Sequence, residues 1–115
     1  MVTRIKSGPR MSQAVVHSNT VYLAGQVASN RSADTGGQTR EILASIDKLL
    51  AEAGTDKTNL LAATVYLADM TTFNEMNAVW DAWVAPGAAP ARATVGAPLA
   101  SSAYRVEIVV IAARP

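Results

Sequence analysis

The sequence has no cysteine, a single histidine, and no apolar run approaching the roughly 20 residues that a membrane-spanning helix needs. The first absence removes disulfides, thiolate metal sites and cysteine nucleophiles together. His17 adjoins a turn signal, and the spacing suggests no residue to orient it as a general base, so it reads as a surface residue. Charge is also scarce, at 17% of residues, with ten basic side chains against nine acidic ones and no basic stripe. That balance carries no electrostatic footprint for nucleic acid. Phosphate-binding loops, the dinucleotide fingerprint, paired metal-binding histidines and the nucleophile elbow are all missing, so neither a metal nor an organic cofactor is expected. The first ten residues lack the apolar run of a signal peptide. The expectation is a soluble, cytoplasmic protein without a membrane partner.

What the chain does have is apolar surface. Half of its 115 residues are hydrophobic. A chain of this length fits one domain, residues 1–115, yet a small domain leaves much of its apolar surface uncovered as a monomer. Low charge with high apolar content therefore predicts burial against other subunits.

The pattern predicts six strands and two helices. Val2 to Lys6 alternates as a short edge strand does and is stopped by Ser7-Gly8-Pro9. Gln13–His17 and Thr20–Val27 read as a hairpin around Ser18-Asn19, with Asn tolerating the positive φ of the turn. Gly25 interrupts the second run, which marks either a packing glycine or a place where a ligand or another backbone comes close. Ala28 to Gly37 reads as a polar loop, and Gln38 to Ala53 as a helix with Ile42, Ile46, Leu49 and Leu50 on one stripe and Gly54 as its stop. Leu60 to Ala68 is nearly all apolar and predicts a central strand covered on both sides. Thr72-Phe-Asn-Glu75 matches a capping box and opens a second helix carrying Phe73, Met76, Trp80, Trp83 and Val84 on one face. The Arg92 strand and the strand Tyr104 to Ala113 complete the set.

Two crossovers place both helices on the same face of one sheet. On the last strand Val106, Ile108, Val110 and Ala112 point one way and Arg105, Glu107, Val109 and Ile111 the other. Both sets contain apolar groups, so the helix-free face is expected to be covered by another copy of the chain.

Arg92 is the main candidate for chemistry. It stands among the small residues Ala91, Ala93, Thr94 and Gly96, where a planar carboxylate has room to meet the guanidinium edge-on. Residue type alone favours a structural ion pair instead. Small neighbours, the helix-free face and Gly25 together suggest a compact pocket with one fixed positive charge, and Glu107 is the carboxylate nearest in sequence on a facing strand. Asn77 lies on the apolar stripe of the second helix, where a buried amide needs partners, either a neighbouring loop or a ligand.

In combination these residues resemble the RidA/YjgF family of enamine and imine deaminases, over essentially the whole chain. The resemblance rests on Leu23-Ala-Gly-Gln26, Phe73-Asn-Glu-Met-Asn77, Pro90-Ala-Arg92, Val106-Glu-Ile108 and Ile111-Ala112. Met76 to Val84 and Tyr104 to Ile108 look closest to the YoaB-like branch. It implies an α+β fold, a single mixed six-stranded sheet with two helices packed on one face, assembled as a chorismate-mutase-like homotrimer with a cleft between each pair of subunits. It also implies that Arg92 holds the carboxylate of a 2-imino acid, that backbone groups near Gly25 and Thr94 bind the rest, and that Asn77 lies close by. Water attack and loss of ammonia then give the 2-keto acid without any cofactor.

Several positions depart from the family pattern. Val109 stands where well-studied members carry a water-orienting glutamate, Ala24 where a serine is frequent, Thr94 where a cysteine is frequent, and Met11 where a tyrosine is frequent. Glu107 shares the strand face of Val109, about 6 to 7 Å along the strand. Two functions therefore stand: hydrolysis of short 2-imino acids with Arg92 and Glu107 as catalytic residues, or binding of small carboxylates without chemistry. RNA cleavage, which has been attached to relatives, finds no support in the neutral charge balance or in any aromatic-basic patch.

Overall fold

A computed structural model describes all residues, 1–115. Six strands, β1 (Val2–Ile5), β2 (Ala14–His17), β3 (Thr20–Leu23), β4 (Leu60–Leu67), β5 (Ala91–Gly96) and β6 (Val106–Ala113), form one sheet in the order β1-β2-β3-β6-β4-β5. Only β4 and β5 pair in parallel; every other pair is antiparallel, so the sheet is mixed. Two helices, α1 (Thr35–Glu52) and α2 (Phe73–Trp83), cross from β3 to β4 and from β4 to β5. Their packing against each other and against the sheet puts them on one face, as the right-handed crossover rule requires.

The core lies between helices and sheet. Ile42, Ile46 and Leu50 from α1 and Met76 and Trp80 from α2 pack over Val21, Val65, Leu67, Val106, Ile108, Val110 and Ala112. Each such fully buried aliphatic side chain contributes about 1.5–3 kcal/mol by leaving water. Residues between these on the strands point to the opposite face, which no element of the chain covers. Tyr22 and Val95 remain 45% and 44% exposed there, and Tyr66, Val109 and Ile111 are half-buried. The expectation that β4 is covered on both sides thus fails within one chain: Leu60, Ala63, Val65 and Leu67 are buried while the alternate residues are not.

α1 begins three residues earlier than the sequence suggests. Asp34 is its N-cap and accepts from Gly37 N at 2.8 Å, so Gly36 and Gly37 belong to the first helical turn and not to a loop. Helical glycines cost about 1 kcal/mol each, and here Glu75 of α2 accepts from the Gly36 N–H at 2.7 Å. The capping box expected at the start of α2 does not form. Thr72 makes no side-chain cap and donates to Asp69 O at 2.7 Å, while Glu75 serves the other helix. At the far end of α1, Gly54 takes the expected left-handed conformation, φ 83°, and Thr55 N returns to Leu50 O.

The hairpin forms where expected, although Ser18 and not Asn19 takes the positive φ, at 54°. β3 ends at Leu23, short of Val27, because the chain bulges. From the Tyr22–Ile111 pair to the Gln26–Ile108 bridge it advances four residues against three on β6. Gly25 is in that bulge.

Candidate functional site

Sheet register decides which residues can meet. Arg92 on β5 aligns with Ala63 on β4, and Ala63 with Val110 on β6, both of which are buried beneath the helices. Arg92 therefore rises on the helix side. Its guanidinium carbon lies 5.1 Å from the centroid of the Trp80 ring, and its Nη1 is 3.9 Å from Met76 Sδ. No carboxylate meets it: the only ion pair in the chain joins Lys6 to Glu52 at the surface. The structural ion pair that residue type favours is absent, and no carboxylate of this chain compensates the cation.

Two polar side-chain atoms, one on the strand of Arg92 and one on the helix that meets it, are buried without partners. Thr94 follows Arg92 by two residues on the same strand face, and Asn77 follows Met76 on α2, one turn before Trp80. Thr94 Oγ1 and Asn77 Oδ1 are both inaccessible and make no hydrogen bond. Buried polar atoms are nearly always satisfied, and no group of this chain satisfies either of these. Asn77 does not order a neighbouring loop.

The remaining residues of the expected site gather elsewhere. Glu107 aligns with Tyr66, and Tyr66 with Val95; Val109 aligns with Thr64, and Thr64 with Ala93. All belong to the helix-free face. Glu107 folds over Gly25 so closely that a side chain there would collide with its Oε2. The close approach that a glycine in a strand signals is thus made by this carboxylate. The backbone N–H and C=O of Gly25 have no partner in the chain, nor does the Glu107 carboxylate, whereas Ala24 N donates to Gln13 O at 2.9 Å and Ala24 O accepts from Gln26 Nε2. Met11 lies in the loop before β2 and is 48% exposed.

The expected compact pocket is therefore not contained in one chain. Arg92 and Thr94 stand on the helix side of β5, and Asn77 is carried by α2, while Gly25, Glu107 and Val109 belong to the open face. The chain has a groove of about 390 Å³ between the helices and a polar hollow of about 310 Å³ beside Gln13 and Gln26, and Arg92 lines neither. Volume and chemistry disagree, and chemistry is the better guide, because Arg92 lies on an edge strand whose outer side is open to a second copy. Trp80 and Met76, which periodicity places only on the apolar stripe of α2, are the side chains that Arg92 meets. Met76 and Trp80, one turn apart on the helix preceding a parallel strand that carries an arginine, were the available signal.

No group of histidine, aspartate and glutamate side chains is arranged to hold a metal. No helix is long and apolar enough to cross a membrane.

The family model described as Endoribonuclease L-PSP matches residues 1–114. The RutC family protein YoaB of Escherichia coli K12 is 46% identical over 112 residues, covering 97% of each chain. The mouse 2-iminobutanoate/2-iminopropanoate deaminase is 35% identical over 107 residues, covering 88% of this chain and 78% of its own. Among solved structures, a member of the YjgF protein family from Neisseria meningitidis superposes with a TM-score of 0.97 at 44% identity, covering 100% of this chain and 96% of that one. Sequence and fold agree over the full length, and the chain belongs to the RidA/YjgF family, on its YoaB-like branch.

Proposed function

We propose that the protein hydrolyses short 2-imino acids and their enamine tautomers to 2-keto acids and ammonia, in clefts between the subunits of a homotrimer. The observation that carries this reading is the state of Arg92: an arginine with no carboxylate partner, beside two orphaned polar atoms, on the open edge of the sheet. Its planar fork suits the carboxylate of the substrate. Asn77 and Thr94 are the nearest groups for the imine end. In the reaction the water oxygen bonds to the imine carbon and the nitrogen gains a proton. The carbinolamine then collapses, the C–N bond breaks, ammonia leaves and the carbonyl forms.

Because Glu107 is on the other face of the sheet, it acts on an Arg92-bound ligand only from a neighbouring subunit, and the same holds for Gly25, Ala24, Met11 and Val109. A free carboxylate from that neighbour suits the abstraction of a proton from water. Imines hydrolyse unaided, so positioning and charge suffice for a modest acceleration. The sheet face bearing Tyr22, Tyr66, Val95 and Ile111 is the apolar surface that such an assembly covers.

A second reading, a trimer that binds small carboxylates without chemistry, is favoured by Val109, whose side chain cannot handle a proton. The test is keto-acid release from a 2-imino acid generated in place by an amino-acid oxidase, with and without the protein. Acceleration over buffer supports the hydrolase. No acceleration across several side chains leaves only the binding protein.

A further inference from the structure

We propose that Trp80 is the positioning residue for Arg92, holding the guanidinium ready for a carboxylate without neutralising it. The inference rests on the carboxylate-clamp reading and concerns how that clamp is built. An arginine side chain carries several rotatable bonds, and fixing it at the moment of binding costs affinity. A carboxylate partner would fix it in advance but would also occupy its donors and cancel its charge. An aromatic ring does neither, since it attracts the cation through its π face and accepts none of the N–H groups along the fork.

The geometry fits that role at each step. The Arg92 guanidinium lies 5.1 Å from the Trp80 centroid, and Nη1 alone has another neighbour, the weakly accepting Met76 Sδ at 3.9 Å. Nε and Nη2 have no protein partner. Trp80 is itself 5% exposed and is backed by the Trp83 ring, 5.4 Å away at 53°. Trp83 in turn is tied to both neighbours of α2: its Nε1 donates to Asp47 Oδ2 of α1 at 3.0 Å, and Lys57 stands 5.1 Å from its ring while donating to Trp83 O at 2.6 Å. The ring that faces Arg92 is thus braced from behind by the packing of α1 on α2. A smaller apolar residue in place of Trp80 would keep the core apolar but leave the guanidinium without a surface to rest on.

The test uses the full-length protein with Trp80→Leu and Trp80→Phe, the probe 2-oxobutanoate, and two readouts. Calorimetric titration is expected to show binding weakened about tenfold in Trp80→Leu and about threefold in Trp80→Phe, which keeps a ring with a weaker π face. In the imine assay the same loss is expected in KM, with kcat little changed. Independently of any ligand, the Arg92 Nε–Hε resonance is expected to be shifted by the indole ring current in the wild type and to move toward its free position in Trp80→Leu. Folded Trp80→Leu that binds 2-oxobutanoate as the wild type does overturns the proposal while leaving the clamp intact. Should only Trp80→Phe fold, unchanged binding together with an unshifted Arg92 resonance in the wild type overturns it equally. Absence of 2-oxobutanoate binding by the wild type, or full binding by Arg92→Ala, removes the clamp itself and this role with it.

Discussion

Arg92 and Glu107 stand on opposite faces of the same sheet, the one under α2 and the other over Gly25, with β4 between their strands. No rotamer change brings them together in one chain. If both serve one reaction, each cleft takes its arginine from one subunit and its carboxylate from another.

That relationship makes complementation measurable. Arg92→Ala and Glu107→Gln are each expected to lose most activity as homogeneous assemblies. Co-refolded in equal amounts they are expected to regain activity, since roughly a quarter of randomly assorted clefts combine an intact Arg92 with an intact Glu107. Mixed assemblies no more active than either parent would place both groups in the same chain's site or remove Glu107 from the chemistry.

Helix-to-helix capping predicts a stability effect far from the site. Glu75 accepts from Gly36 N at the N-terminus of α1, where a carboxylate also meets the positive end of the helix dipole. Glu75→Ala is expected to destabilise the fold by about 1 kcal/mol, with Glu75→Gln retaining part of the effect. Urea unfolding of the variants measures it.

Acid sensitivity follows from Glu41. Its carboxylate accepts from Ser29 N at 2.5 Å and Asn30 N at 3.1 Å, and these backbone bonds hold its pKa below the ordinary 4.5. A carboxylate depressed by folding stabilises the fold fully above its unfolded pKa and loses that contribution as pH falls through the folded value. Asp56 and Asp69, each lowered from 3.8 by hydrogen bonds from Thr58 and Thr71, add to the same trend. Stability is therefore expected to fall as pH drops below the ordinary carboxylate values of 4.5 and 3.8, and Glu41→Gln to flatten the upper part of that fall in urea titrations at several pH values.

If other copies bury the open sheet face, a fourth expectation follows. Tyr22 is 45% exposed in the single chain, and Tyr22→Glu places a charge in the middle of that face. Light scattering is expected to give a trimer mass for the wild type and a smaller mass for Tyr22→Glu. An unchanged trimer would mean that the assembly uses another surface.

Much of this fold was legible in the periodicities. The alternation of β6 and the stripe of α1 survive unchanged because both reflect one buried face, and that is set by residue polarity alone. What escaped depended on contacts distant in sequence. Thr72 and Glu75 have the spacing of a capping box, yet Glu75 finds a better donor in Gly36, 39 residues away. Gly36 and Gly37 read as loop residues by propensity and are helical because Asp34 caps the turn and Glu75 accepts from Gly36 N. The site was legible as residue types but not as a place. Arg92 and Thr94 share one face of β5, but which face that is depends on the register of β5 against β4, which no local pattern encodes. Without it, Trp80 looked like one more core aromatic.

The most direct test of the account is the affinity of the protein for 2-oxobutanoate with and without the Arg92 guanidinium. Calorimetric titration of wild type, Arg92→Lys and Arg92→Ala is expected to show binding by the wild type, a weaker constant for the lysine variant, and a loss of at least about tenfold for the alanine variant. Equal affinity of wild type and Arg92→Ala would contradict it.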